Sequence, residues 1–132
     1  MIRLLRHFAR NRSGATAAEF SLVVPVFLAF VMVFFGIGFV FWANAGLRNA
    51  VGEGARVATL FPLRDDTTII NTIKSNSFGL NGMMGTPTLT TGTANGQAYV
   101  DITVTANPRF NLYFFTVSPI TLTEQRRVYR PS

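Results

Sequence analysis

Residues 20–47 read FSLVVPVFLAFVMVFFGIGFVFWANAGL, a stretch with no charged side chain. As an α-helix these 28 residues would extend about 42 Å, because each residue adds about 1.5 Å. The hydrocarbon core of a bilayer is about 30 Å thick, so the stretch is long enough to cross it. We therefore predict a transmembrane helix at 15–45, which leaves residues 46–132 for one small domain.

Basic residues are concentrated before this stretch. After it, arginines are offset by nearby acids, and the positive-inside rule places the more basic end in the cytoplasm. We expect residues 1–14 to be a basic leader in the cytoplasm and residues 46–132 to form an extracytoplasmic domain. The leader arginines are Arg3, Arg6, Arg10 and Arg12.

Composition argues against several other functions. Outside the leader the chain has eight basic and six acidic residues, which is not a nucleic-acid footprint, and it has no recognition motif. The absence of cysteine excludes disulfides, thiolate metal sites and thiol catalysis. The single histidine, His7, lies in the leader, away from any outer-face site. We predict a non-enzyme with no cofactor, metal site, small-molecule substrate or nucleic-acid partner.

An ordinary secretory signal is an alternative interpretation of the N-terminal region. Ala43-Asn44-Ala45 has the small-residue pattern of a signal cleavage site. The apolar segment of a signal peptide is about 7–15 residues long, however, and this run is well over 20. Its length favours a helix that is retained as an anchor.

The seven residues GATAAEF, Gly14 to Phe20, lie between the leader and the apolar run. A peptidase that cut here would remove the arginines and keep the helix, so we interpret the segment as a processing site. Thr16 and Glu19 also match a capping box. In this motif the Thr16 side chain accepts a hydrogen bond from the Glu19 backbone amide, and the Glu19 side chain accepts one from the Thr16 backbone amide. From the residues alone, the structural and functional roles of Glu19 both stay open.

Helical spacing continues beyond the membrane span, over residues 46–60. Gly52 and Gly54 each weaken a helix by about 1 kcal/mol relative to alanine, so packing must support this segment. Small residues four apart form one stripe that permits close approach of another element. We favour packing on the chain's own sheet over contact with a neighbouring subunit. The stripe residues are Gly46, Ala50, Gly54 and Ala58.

The remaining domain is predicted to be α+β. A short helix at 66–74 would be capped by Asp66. Asn95-Gly96 is a hairpin-turn signal, and residues 97–105 alternate between apolar and polar. We expect a three- to four-stranded antiparallel sheet against which the extended helix lies. Its strands are predicted at about 86–91, 97–105 and 120–129.

Two further clusters have simple structural interpretations. The aromatic cluster between the last two strands is predicted to fill the small core, since aromatic side chains bury large areas. The alternative is an exposed patch for a partner or for the lipid surface. Three arginines near the C-terminus are interpreted as a solvated basic edge that discourages strand pairing. The two clusters comprise Phe110, Tyr113, Phe114 and Phe115, and Arg126, Arg127 and Arg130.

Three segments together carry a family resemblance: SGATAAEF at 13–20, SLVVP at 21–25 and LRNAVGEGAR at 47–56. The chain resembles TadE-like proteins, the minor pilins or pseudopilins of bacterial Tad (Flp) type IV pilus systems. The resemblance implies cleavage by a prepilin peptidase between Gly14 and Ala15. It also implies that Glu19, at mature position five, and Phe20 take part in assembly.

The resemblance implies a bacterial inner-membrane precursor for an adhesion pilus. Its expected partners are the prepilin peptidase, other pilin or pseudopilin subunits, the Tad assembly machinery and membrane lipid. Two alternatives remain: an unprocessed single-span protein with a small envelope-binding domain, and an exported protein cut after Ala45.

Overall fold

The computed structural model describes residues 13–80, 82–109 and 119–131. It divides into two units, residues 1–36 and residues 37–132. The described part of the first unit is helix. The second contains a further stretch of that helix, a short helix and a small antiparallel sheet, which confirms the predicted α+β class.

Two helices and three strands are defined in chain order. Helix α1 spans Ser13–Ala58 and helix α2 spans Asp66–Ser75. The strands of the sheet lie in the order β1-β2-β3, and both neighbouring pairs are antiparallel. They are β1 (Thr88–Ala94), β2 (Gln97–Ala106) and β3 (Leu122–Tyr129).

The predicted turn at Asn95-Gly96 connects β1 to β2. Both residues have positive φ, 53° at Asn95 and 78° at Gly96, as a tight two-residue hairpin turn requires. Ala94 pairs with Gln97, so the ladder reaches the turn itself. This turn fixes the register of the hairpin and therefore which face of β2 points inward.

The core of the second unit lies on one face of the sheet. Val100, Ile102 and Val104 alternate along β2 and are fully buried, as predicted from their spacing. The C-terminal part of α1, residues 43–58 and called its outer part below, contributes other buried apolar side chains, as does one face of α2. These are Ala43, Leu47, Ala50, Val51, Ala55, Val57, Ala58, Ile69 and Ile73, with Leu80 from the following loop and Ala106 from β2.

The ends of helix α1 differ from their predicted positions. Because α1 already includes Ser13, Thr16 and Glu19 lie inside the helix, and the predicted capping box is wrong. At the other end α1 stops at Ala58 rather than at residue 60. The amides of Thr59 and Leu60 each bond a carbonyl three residues earlier, a tightening that commonly closes a helix.

The strand boundaries also shift by a few residues. The first strand was predicted at 86–91 but begins after Pro87, because proline has no N–H to donate to a ladder. The third was predicted at 120–129 and begins at Leu122. Within the described residues the sheet has three strands, and Met84 adds only an isolated bridge to Ala106.

Helix α2 is capped by Asp65 rather than by the predicted Asp66. The Asp65 carboxylate accepts a bond from the Thr68 amide at 3.2 Å, and the hydroxyls of Thr67 and Thr68 also donate to it. These bonds, led by that of Thr67, lower the pKa of Asp65 from 3.8 to about 2. Asp66 instead lies in the first helical turn and pairs with Arg130 at 3.3 Å.

The C-terminal arginines were interpreted as a solvated edge, but two of them have carboxylate partners. Arg127 forms two 2.7 Å bonds with Asp101, lies 4.0 Å from the centre of the Tyr99 ring and lowers the pKa of Asp101. Arg130 pairs with Asp66. The predicted aromatic cluster, Phe110, Tyr113, Phe114 and Phe115, lies outside the described residues.

The cap of α2 predicts a pH dependence. Because the pKa of Asp65 is lower in the folded state, its contribution is present above about pH 4 and is lost as the pH falls toward 2. The protection of the α2 amides against hydrogen exchange, corrected for the intrinsic pH dependence of the exchange rate, should therefore fall in that range in the full chain in detergent. Asp65→Asn retains a capping side chain and should lose this pH dependence, whereas Asp66→Asn should keep it. The same acid response in Asp65→Asn would contradict this assignment.

Candidate membrane and assembly site on helix α1

The apolar stretch of α1 has no protein cover among the described residues. By length and composition it is the one described helix suited to cross a membrane. Fully burying a large apolar side chain is worth about 1.5–3 kcal/mol, so a row of exposed ones favours an apolar surrounding. The long apolar helix thus indicates membrane anchoring. Its exposed large side chains include Phe20, Leu22, Phe27, Phe30, Phe34, Phe35 and Phe41.

The predicted processing and assembly residues lie together in the first two turns of α1. Gly14, Ala15, Glu19 and Phe20 are all exposed. A Cβ added to Gly14 would meet nothing within 4 Å. Ala15 and Glu19 are four residues apart and therefore share one side of the helix. No described residue forms a hydrogen bond or ion pair with the Glu19 side chain.

The small-residue stripe lies on the buried side of the outer part of α1. All four of its members are buried. A Cβ on Gly54 would lie 2.3 Å from Cγ1 of Ile73, and one on Gly46 would lie 1.8 Å from the Phe78 carbonyl oxygen. At its two glycines the stripe therefore meets α2 and the loop after it, whereas the sequence favoured the sheet.

The loop after α2 packs closely against α1 around Gly46. The Asn49 side chain donates to the Asn76 carbonyl at 3.1 Å, which ties the start of the loop to the helix. Gly79 has φ +72°, and a Cβ there would lie 3.1 Å from the Trp42 ring. The Phe78 and Trp42 rings are 6.2 Å apart between centroids. We name Trp42, Gly46, Phe78 and Gly79 the loop clamp.

Comparison with known protein families gives one match, which falls on helix α1. The model of the TadE-like protein family matches residues 14–56, from the exposed first turn of α1 to its buried outer part. This segment is TadE-like. The match confirms, over this segment, the resemblance seen in the sequence. No curated protein and no solved structure matches the chain.

The predicted residues thus form two groups on the TadE-like helix. Gly14, Ala15, Glu19 and Phe20 are on exposed turns, and the stripe is in the core. The sequence interpretation missed the loop clamp. Trp42, the only tryptophan, and Gly79, directly after an aromatic residue, were its visible signals. Their contact depends on how the chain returns from α2, which residue spacing along α1 does not encode.

Two neighbouring glycines give a matched test of the stripe. Gly54→Ala should destabilise the domain by about 1–3 kcal/mol, because the added methyl overlaps the buried Ile73 side chain. Gly52→Ala should be neutral or stabilise by up to about 1 kcal/mol, since its Cβ would meet only the Arg126 guanidinium at 3.4 Å. Thermal unfolding in detergent measures both. Equal effects of the two substitutions would contradict the packing described.

Proposed function

We propose that the chain is a pseudopilin-like subunit of a Tad (Flp) adhesion pilus, anchored in the bacterial inner membrane and released by a prepilin peptidase that cuts after Gly14. The observation that carries this proposal is the TadE-like match, which begins at Gly14 and runs through the apolar helix. In this proposal residues 1–14 are the cytoplasmic leader, 15–45 the membrane helix and 46–132 the extracytoplasmic domain.

Cleavage after Gly14 would remove the basic residues that hold the N-terminus at the membrane surface. Each leader arginine near an anionic inner leaflet contributes about 1 kcal/mol toward holding the N-terminus at the membrane surface. Removing all four arginines abolishes this electrostatic attraction, while the apolar stretch of α1 remains intact. The exposure of Gly14 and Ala15 and the empty space around Gly14 are compatible with access by a peptidase.

Glu19 is proposed to act in assembly, with Phe20 beside it. Once the leader is gone, Ala15 carries a new amine one helical turn from Glu19, on the same side of the helix. A carboxylate is costly in an apolar helix bundle unless a positive charge pairs with it. Pairing with the Ala15 amine, from its own chain or a neighbour's, would therefore favour correctly aligned subunits. In the uncleaved chain Glu19 lies inside α1 rather than at its start.

The proposed role is structural rather than enzymatic. Its partners are the prepilin peptidase, other pilin or pseudopilin subunits, the Tad assembly machinery and membrane lipid. Among the described residues, no group of His, Cys, Asp or Glu is arranged to hold a metal ion.

The N-terminus of the mature protein tests the processing step. In cells that supply a Tad prepilin peptidase, intact mass of the membrane-extracted chain should correspond to a start at Ala15. Gly14→Ala should leave the leader attached without disturbing the fold, because its Cβ has free space. Gly38→Ala, which also has free space but lies within the apolar run, is the control and should be processed normally. A start at Met1 in the unaltered chain would instead support a permanently anchored protein, and a start at Gly46 an exported one.

The role of Glu19 is tested by removing only its charge. Glu19→Gln should be processed but should enter pili poorly, because the amine of Ala15 loses its partner. Glu53→Gln removes one carboxylate from the outer part of the same helix, where Glu53 pairs with Arg56 at 2.9 Å, and should assemble normally. Immunoblots of sheared pili compare the variants. Wild-type assembly of Glu19→Gln would rule out the charge-pair mechanism.

A further inference from the structure

The loop clamp leaves two large aromatic side chains of the second unit partly exposed. Trp42 is 53% exposed and Phe78 is 42% exposed, although their rings are close to each other. They come from segments 36 residues apart, so their approach is a property of the fold. Single exposed apolar residues are common on proteins, whereas two adjacent aromatic rings brought together by the fold form a candidate contact surface.

The position of Phe78 is held by backbone contacts. Its carbonyl oxygen lies against Gly46, where any side chain would collide with it, and Asn49 bonds the preceding segment at Asn76. Trp42 in turn covers Gly79, whose positive φ of 72° suits glycine. The fold therefore fixes Phe78 beside Trp42 with a substantial part of each ring exposed.

The chemistry of the pair indicates its partner. Trp42 directly follows the exposed apolar residues of α1, so it lies where that stretch ends. No described residue accepts a hydrogen bond from its indole N–H. A ring that is apolar on its face and retains an unused donor matches the headgroup layer of a bilayer, where tryptophan is enriched.

We propose that Trp42 and Phe78 insert into the interfacial layer of the membrane and seat the outer domain on the bilayer surface. This inference rests on the membrane anchoring in the proposed function and adds a second lipid contact, made by a loop outside the helix. The clamp glycines, Gly46 and Gly79, permit the loop to reach that position.

Tryptophan fluorescence in vesicles tests the loop contact. The chain contains one tryptophan, so Trp42→Phe combined with Phe78→Trp moves the reporter to the loop. In phosphatidylcholine vesicles containing lipid brominated near the headgroup, the fluorescence of this variant should be strongly quenched, because tryptophan at the interface lies at the depth of the headgroups. Lipid brominated deep in the acyl chain should quench it less.

A control position for the tryptophan reporter lies just beyond the C-terminal end of α1. Phe61 is 82% exposed and follows the end of α1, about 24 Å of helix rise beyond Trp42. Trp42→Phe combined with Phe61→Trp should be quenched little by either lipid. Equal quenching at positions 61 and 78 would overturn the proposal.

The remaining outcomes separate this proposal from the anchoring on which it rests. Quenching of Trp42 in the unaltered chain without quenching at position 78 would overturn the loop contact and leave the anchor intact. Quenching at neither position would overturn the proposal, and failure of the chain to associate with the vesicles at all would overturn the anchoring as well. A second variant keeps Trp42: because the chain has no cysteine, Phe78→Cys carries a single polarity-sensitive dye, whose emission should shift to the blue on vesicle addition. The same dye on Phe61→Cys should not shift.

Discussion

Helix α1 lies in two different apolar surroundings along its length, and the rest of the fold is arranged to suit them. Its first part exposes bulky apolar side chains, and its outer part buries small ones in a protein core. A large side chain on the surface suits lipid, whereas a small one lets another backbone approach closely. The change from phenylalanine-rich to glycine- and alanine-rich sequence near Ala43 marks this change of surroundings.

The small domain is assembled around the outer part of α1, whose side chains lie in the protein core. Gly54 admits the buried Ile73 of α2, and Gly46 admits the loop that follows it. The sheet adds the alternating apolar side chains of β2 to the same core. Ion pairs contribute at the edges, where Arg48 lies 3.7 Å from Glu124 and so connects α1 with β3. Such exposed pairs add little stability, so close packing at the glycines holds the domain together.

Much of this fold could be predicted because its signals are local. The long apolar helix follows from an uncharged run, the hairpin from Asn95-Gly96 and the inward face of β2 from its alternation. The choice of cap was harder, since Asp65 and Asp66 are equally suitable and the hydroxyls of Thr67 and Thr68 decide between them. The partner of the stripe required tertiary information. A four-residue spacing indicates that something approaches closely, but not which segment does.

The proposed site was predictable to a similar degree. Residues 14–20 are proposed as a processing site from their place between arginines and an apolar run, and the TadE-like match covers them. The predicted capping role of Glu19 failed because helix α1 begins before Thr16. The aromatic pair of the loop clamp was missed because Trp42 and Phe78 are distant in sequence.

The most direct test of the two surroundings of α1 compares two side chains that the fold leaves exposed, Phe30 in the apolar run and Phe61 beyond the end of α1. Each is replaced by cysteine in this cysteine-free chain, and spheroplasts are treated with a membrane-impermeant maleimide. The change of surroundings along α1 predicts rapid labelling of Phe61→Cys and labelling of Phe30→Cys only after the membrane is dissolved and the protein denatured. Equally rapid labelling of both in intact spheroplasts would contradict it.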